Sequence, residues 1–156
     1  MREYLEGRRR KEEGGKGAEP GCLVRDGGGE GYDLRGRTKR FALAIIRMVG
    51  DLPRSTAAQV LGRQVLRSGT SVGANYCEAY RGRSRAEFIA KAGDCLREIE
   101  ETSYWLELLA DSGIASTDQL APLRKESDEL TAIFVAILRR AKENLKEEVG
   151  RKKAEG

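Results

Sequence analysis

Between Phe88 and Leu109 the apolar or small residues fall at 88, 92, 95, 99, 102, 106 and 109, in alternating steps of four and three. That period places Phe88, Ala92, Cys95, Ile99, Thr102, Leu106 and Leu109 on one stripe of an α-helix, the seam of a helical bundle. Ser84-Arg85-Ala86-Glu87 precedes the stripe as a capping box, whose serine hydroxyl and glutamate can each satisfy an amide left unpaired at a helix start. Before it, Arg81-Gly82-Arg83 reads as a tight turn, so residues 66–109 predict two long helices folded into a hairpin.

The same periodicity predicts a first helix from about Asp33. Leu34, Thr38, Phe41, Ile45, Met48 and Leu52 form its stripe, Ala42, Ile46 and Val49 widen it, and Gly50-Asp51-Leu52-Pro53 stops it. A second helix runs from Ser55 or Thr56 to Tyr80, with Val60, Leu61, Val65, Leu66, Val72, Tyr76 and Ala79 on its apolar side. Gly62, Gly69 and Gly73 each cost that helix about 1 kcal/mol relative to alanine. They share one face, which predicts close approach of another helix, with a hinge as the alternative. A fourth helix starts near Ser116-Thr117-Asp118 and carries Leu120, Leu123, Ser127, Leu130, Phe134, Ile137 and Ala141, continuing loosely to Leu145 and Val149. Connections this short require antiparallel neighbours, so the expected fold is an all-α, up-down-up-down four-helix bundle over residues 32–149.

Flanking segments lack this patterning. Residues 1–31 hold nine glycines and seven acids against seven bases, with no apolar period. They are expected to form a disordered Gly-rich N-terminal tail. Gly27-Gly28-Gly29-Glu30-Gly31 has neither a strand before it nor a GK[ST] after it, which argues against a phosphate loop. Residues 150–156 are expected to be a short basic C-terminal tail.

Composition narrows the chemistry. A chain of 156 residues, 39% hydrophobic and 35% charged with three prolines, suits one helical domain. No apolar run approaches the roughly 20 residues of a spanning helix, and the N-terminus opens no signal peptide, so a cytoplasmic location is expected. The three cysteines form no CxxC pair and read as structural thiols. Cys77 and Cys95 are expected roughly 10 Å apart across the hairpin, too far for a disulfide.

There is no histidine. That excludes the Glu-x-x-His ligand sets of di-iron bundles and any imidazole base. No catalytic residue, cofactor or metal site is expected, and the protein reads as non-enzymatic.

Charge is segregated along the chain. Residues 32–51 carry five bases against two acids and residues 52–85 six against one, whereas residues 86–113 carry two against seven. Arg35, Arg37, Lys39 and Arg40 on the first helix are thus candidates for a phosphate-binding stripe. Arg54, Arg63, Arg67, Arg81, Arg83 and Arg85, on the second helix and its flanks, complete the set. The alternative is a solvated basic surface complemented by a neighbour's acidic third helix. Where Arg81, Arg83 and Arg85 meet the amides opening the third helix, phosphate could bind, or Ser84 could already occupy those amides. Asn75, Glu78 and Lys91 are candidates for a polar network setting the hairpin's register. Glu98 and Glu101 are expected to act between subunits. Tyr104 lies opposite the seam with Leu108 on the same outer ridge and Trp105 at its flank, a candidate oligomer interface.

The residues SGTSVGANYCEA (68–79), RSRAEFIAK (83–91) and EIEETSYWLELL (98–109) resemble a four-helix-bundle family. It includes the proteins encoded in intervening sequences of bacterial ribosomal RNA genes and the accessory variability proteins of diversity-generating retroelements. The resemblance covers roughly Tyr32 to Lys146. Ser71, Val72, Asn75 and Glu78 match a Ser-Ile/Val-x-x-Asn-x-x-Glu-Gly pattern, while Ala79 stands where many members have glycine. The resemblance implies a ring, typically a homo-pentamer, with a basic surface that in retroelement members binds nucleic acid and a reverse transcriptase. Two functions follow as expectations: a nucleic-acid-binding oligomer, or a scaffold that binds only proteins. Salt separates them, because phosphate binding weakens with a slope of about 0.9 per contact on duplex DNA.

Overall fold

The computed structural model describes residues 33–154. The expectation of a disordered tail at residues 1–31 lies outside them. The described chain forms four helices: α1 (Leu34–Gly50), α2 (Thr56–Tyr80), α3 (Arg85–Asp111) and α4 (Thr117–Ala154). Each begins on a short polar side chain that accepts a hydrogen bond from an otherwise unpaired amide. Asp33 accepts from Gly36 at 2.8 Å, Ser55 from Ala58 at 3.2 Å, Ser84 from Glu87 at 3.1 Å and Ser116 from Gln119 at 3.1 Å. The Glu87 carboxylate completes the expected box by accepting from the Arg83 amide at 2.7 Å, one residue before the cap. Gly113, at φ +70°, reverses the chain after α3, a backbone conformation that side chains disfavour.

The helices are antiparallel in sequence order, as their contacts show. Cys95 Sγ donates to the Val72 carbonyl, Thr102 Oγ1 to Ser68 Oγ and Arg67 to Glu101, so α3 climbs as α2 descends. Ser103 shares a 2.6 Å hydrogen bond with Ser127, and Arg85 lies 3.6 Å from Glu148, which sets α4 antiparallel to α3. Inside, the edge of Tyr76 meets Phe134 with ring centroids 5.8 Å apart, linking α2 to α4 through the core.

The α3 seam is buried at all seven expected positions. In α1, Leu34, Thr38, Phe41, Ile45 and Met48 are buried, while Ile46, expected to widen the face, is 48% exposed. In α2 the buried set is Ala58, Gly62, Val65, Ser68, Gly69, Val72, Tyr76 and Ala79. Val60, expected among the apolar residues, is 51% exposed because the small residues on either side of its turn occupy the contact with α1. In α4 the stripe steps from Phe134 to Leu138 by four residues, leaving Ile137 half-buried.

Gly62, Gly69 and Gly73 face α1. A Cβ at Gly69 would lie 2.9 Å from Ile45 Cγ1, one at Gly62 3.2 Å from Leu52, and one at Gly73 3.5 Å from Thr38. Close helix approach is therefore their use. Helix α4 does not end at Gly150; residues 151–153, expected in a tail, continue the helix.

Candidate nucleic-acid interface

The basic residues fall into two physical classes. Arg37, Arg67 and Arg85 are engaged by carboxylates of the same chain. Arg37 reaches α4, donating from Nε to Glu126 at 2.6 Å and also to Glu129. Arg67 binds Glu101 and lies 3.5 Å from Glu98. Arg35, Lys39, Arg40, Arg54, Arg63, Arg81 and Arg83 make no ion pair among the described residues, and every one is exposed.

Placement divides the second class further. At about 100° per residue, Arg35 and Lys39 stand on the rim of α1 toward α2, and Arg63 on the rim of α2 toward α1. Their outward position follows from the inward one of Thr38, Ile45, Gly62 and Gly69, which pack the two helices together. Arg40 belongs elsewhere, in a groove between α1 and α4 lined also by Phe41, Ala44, Pro122 and Leu123. Arg54 lies in the α1–α2 connection and Arg81 and Arg83 in the α2–α3 turn. The ten candidates thus do not form one stripe; three of them, Arg35, Lys39 and Arg63, share the outer α1–α2 surface.

The α2–α3 turn is a shallow cleft in which Arg81, Arg83 and Lys91 stand among Glu78 and Glu87. Ser84 and Glu87 already occupy the amides there. Lys91 Nζ sits 2.6 Å from Glu78, and that hydrogen bond raises the ammonium pKa above its ordinary value. The pair joins α2 to α3, and its hydrogen bonds do not include Asn75, which is half-buried.

Glu98 and Glu101, expected between subunits, turn to Arg67 within the chain. The Arg67 hydrogen bond, with a second from Trp105 Nε1 at 3.1 Å, holds the Glu101 carboxyl below its usual range. Glu101 in turn raises the Arg67 guanidinium, with Glu98 adding to it. Trp105 is half-buried against the core, and its ring centroid lies 5.0 Å from that of Tyr104. Tyr104 is 53% exposed, while Leu108 is half-buried. Cys77 and Cys95 are both free thiols; burial pushes Cys95 up to about 12.

A group of bases on α4 escaped the sequence reading. Arg139, Arg140, Lys142 and Lys146 are exposed and, among the described residues, without a carboxylate partner. Counting charge by blocks of sequence hid them beside Glu143, Glu147 and Glu148, whose partners, where they have them, only the structure gives. Among the described residues, no three His, Cys, Asp or Glu side chains are placed to hold a metal ion, and no helix is long and apolar enough to cross a membrane.

Comparison with known proteins gives the fold a context. Residues 32–136 match the family model described as 23S rRNA-intervening sequence protein. Among solved structures, a protein of unknown function from the S23 ribosomal protein family of Bacteroides thetaiotaomicron is 35% identical, with a TM-score of 0.64. The match covers 67% of this chain and 97% of that one. No curated protein matches.

Proposed function

The chain belongs to the 23S rRNA-intervening sequence protein family, and from that premise we propose that it is a non-enzymatic protein that binds nucleic acid through its phosphates. The observation that carries this reading is the division of the cations. Those that tie helices together are paired with carboxylates, while Arg35, Lys39 and Arg63 stand unpaired along the outer α1–α2 surface. Exposed cations without intramolecular partners release counterions when they meet a phosphate backbone, which is the main source of sequence-independent affinity.

Replacing Arg35, Lys39 and Arg63 by glutamate tests the assignment, since all three are exposed. The variant should retain helicity and lose a gel shift on duplex RNA and duplex DNA. Binding equal to wild type would move the site off the α1–α2 surface. A wild-type protein that shifts neither probe at low salt would leave the protein-scaffold function in its place.

The proposal includes self-association, in a ring of five as the family resemblance implies. Its support is the exposed Tyr104 on the outer ridge of α3, backed by Trp105 and flanked by Leu108. A reverse transcriptase as a further partner rests on the resemblance alone.

A further inference from the structure

The C-terminal part of α4 carries a feature that neither the family match nor the α1–α2 surface accounts for. The family match ends at residue 136, and the last buried residue of α4 is Ala141, yet the helix continues to Ala154. Arg139, Lys142, Lys146, Val149 and Lys153 follow one another at steps of three and four, so they lie on a single ridge. All five are exposed. From Arg139 to Lys153 the ridge is on the order of 21 Å long at 1.5 Å per residue.

Glu147 and Glu148 lie off the ridge, while Glu143 stands at its edge, four residues from Arg139 and three from Lys146. Glu147 is 3.7 Å from Arg151, and Glu148 is 3.6 Å from both Lys152 and Arg85. These pairs leave Arg139, Lys142, Lys146 and Lys153 without a carboxylate among the described residues. One side of this segment is thus neutralised internally, while the ridge carries four cations, with Val149 among them and one acid, Glu143, at its edge. Steps of three and four residues set Arg139, Lys142 and Lys146 roughly 5 Å apart along the axis, and Lys153 follows roughly 10 Å beyond Lys146. A polyanion with regularly repeated charges complements such a row better than a compact anion, which could meet only one or two of them.

We propose that this α4 ridge is a second contact strip for a nucleic-acid backbone, additional to the α1–α2 surface. The inference rests on the nucleic-acid reading above and extends it to a segment outside the family match. The strip reads no base: its side chains are point charges on flexible stems, suited to phosphates rather than to base edges.

The test is the salt dependence of binding, followed by fluorescence anisotropy on a labelled DNA duplex. The fourfold variant Arg139→Gln, Lys142→Gln, Lys146→Gln, Lys153→Gln should keep its helicity and lower the slope of log affinity against log salt by about 2 to 4. The control variant Arg151→Gln, Lys152→Gln removes cations that already have partners, and its slope should stay at the wild-type value. Should the fourfold variant misfold, Lys142→Gln with Lys146→Gln supplies the same readout at about half the size. A ridge variant with the wild-type slope would overturn the strip while leaving the α1–α2 interface standing. A per-charge loss as large in the control would overturn it too, because net charge alone would then explain both. A wild-type protein that does not bind the duplex but binds vesicles of anionic lipid would overturn the strip and the nucleic-acid reading together.

Discussion

Alanine at Gly69 and alanine at Gly93 should shift stability in opposite directions, although both glycines lie inside long helices. Alanine gains about 1 kcal/mol over glycine in a helix interior. At Gly93 a new Cβ meets nothing within 4 Å, so Gly93→Ala should gain that amount in full. At Gly69 the Cβ would fall 2.9, 3.1 and 3.4 Å from Cγ1, Cγ2 and Cβ of Ile45. Favourable carbon contacts need about 3.5 to 4.0 Å. Turning Ile45 about its first torsion does not relieve the crowding, because its Cβ is itself among the near atoms and Ile45 is fully buried. Helices α1 and α2 must then separate, an overpacking that costs about 1 to 3 kcal/mol. The net effect at Gly69 is a loss of up to about 2 kcal/mol, so the two variants should differ by about 1 to 3 kcal/mol. Gly73→Ala, with its nearest atom at 3.5 Å, should behave like Gly93→Ala. Urea unfolding at fixed protein concentration reads these differences as midpoint shifts at constant slope. Adding Ile45→Ala should cancel the penalty at Gly69 in a double-mutant cycle. Equal stabilisation by Gly69→Ala and Gly93→Ala would refute the claim that close approach is the reason for the glycine.

Further outcomes follow from single groups. Ser84→Ala should destabilise the hairpin by about 1 kcal/mol, since Ser84 caps α3 and its loss leaves the Glu87 amide unpaired; chemical denaturation measures it. Cys95, whose thiol is raised from 9.0 to about 12 by burial, stays neutral in the folded state while the unfolded thiol ionises. Its contribution is complete below pH 9 and is lost as pH rises toward 12, at up to about 1.4 kcal/mol per unit; Cys95→Ala should flatten the decline of stability measured across that range. Tyr104→Glu with Leu108→Glu should reduce the mass found by light scattering to that of one 17.2 kDa chain without loss of helix. A wild-type protein that is monomeric at high micromolar concentration would remove the ring from the proposed function.

Much of the architecture was legible because one period dominates. The α3 seam was read correctly at each position, since its buried side chains are apolar or small and its flanks are charged. Two errors share a cause, that side-chain hydrophobicity ranks residues differently from helix geometry. Val60 is more apolar than Gly62 or Ala58, yet at a close crossing the small residues take the interface. Ile137 and Leu138 are equally apolar neighbours, and a period of 3.6 leaves a step of three or four from Phe134 undecided. The charged residues were less legible because a sequence names a base without naming its partner. Arg67 and Arg63 look alike one turn apart on α2, but only Arg67 lies against Glu98 and Glu101 of α3. The unpaired ridge of α4 was obscured for the same reason.

How the bundle holds its helices together also decides where its positive charge collects. The pairs made by Arg37, Arg67, Lys91 and Arg85 join α1 to α4, α2 to α3 and α3 to α4. None of these pairs joins α1 to α2. That interface is closed instead by Gly62 and Gly69 against Val49, Leu52 and Ile45. Acids are also scarce there: Glu78 is the one acid of α2, and it faces Lys91 of α3. Cations on the outer rims of α1 and α2 consequently remain without carboxylates among the described residues, along the surface formed by the two helices that the glycines let pack. The small-residue contact is a packing device first, and the concentrated positive surface, with the affinity for phosphate proposed for it, is its electrostatic consequence.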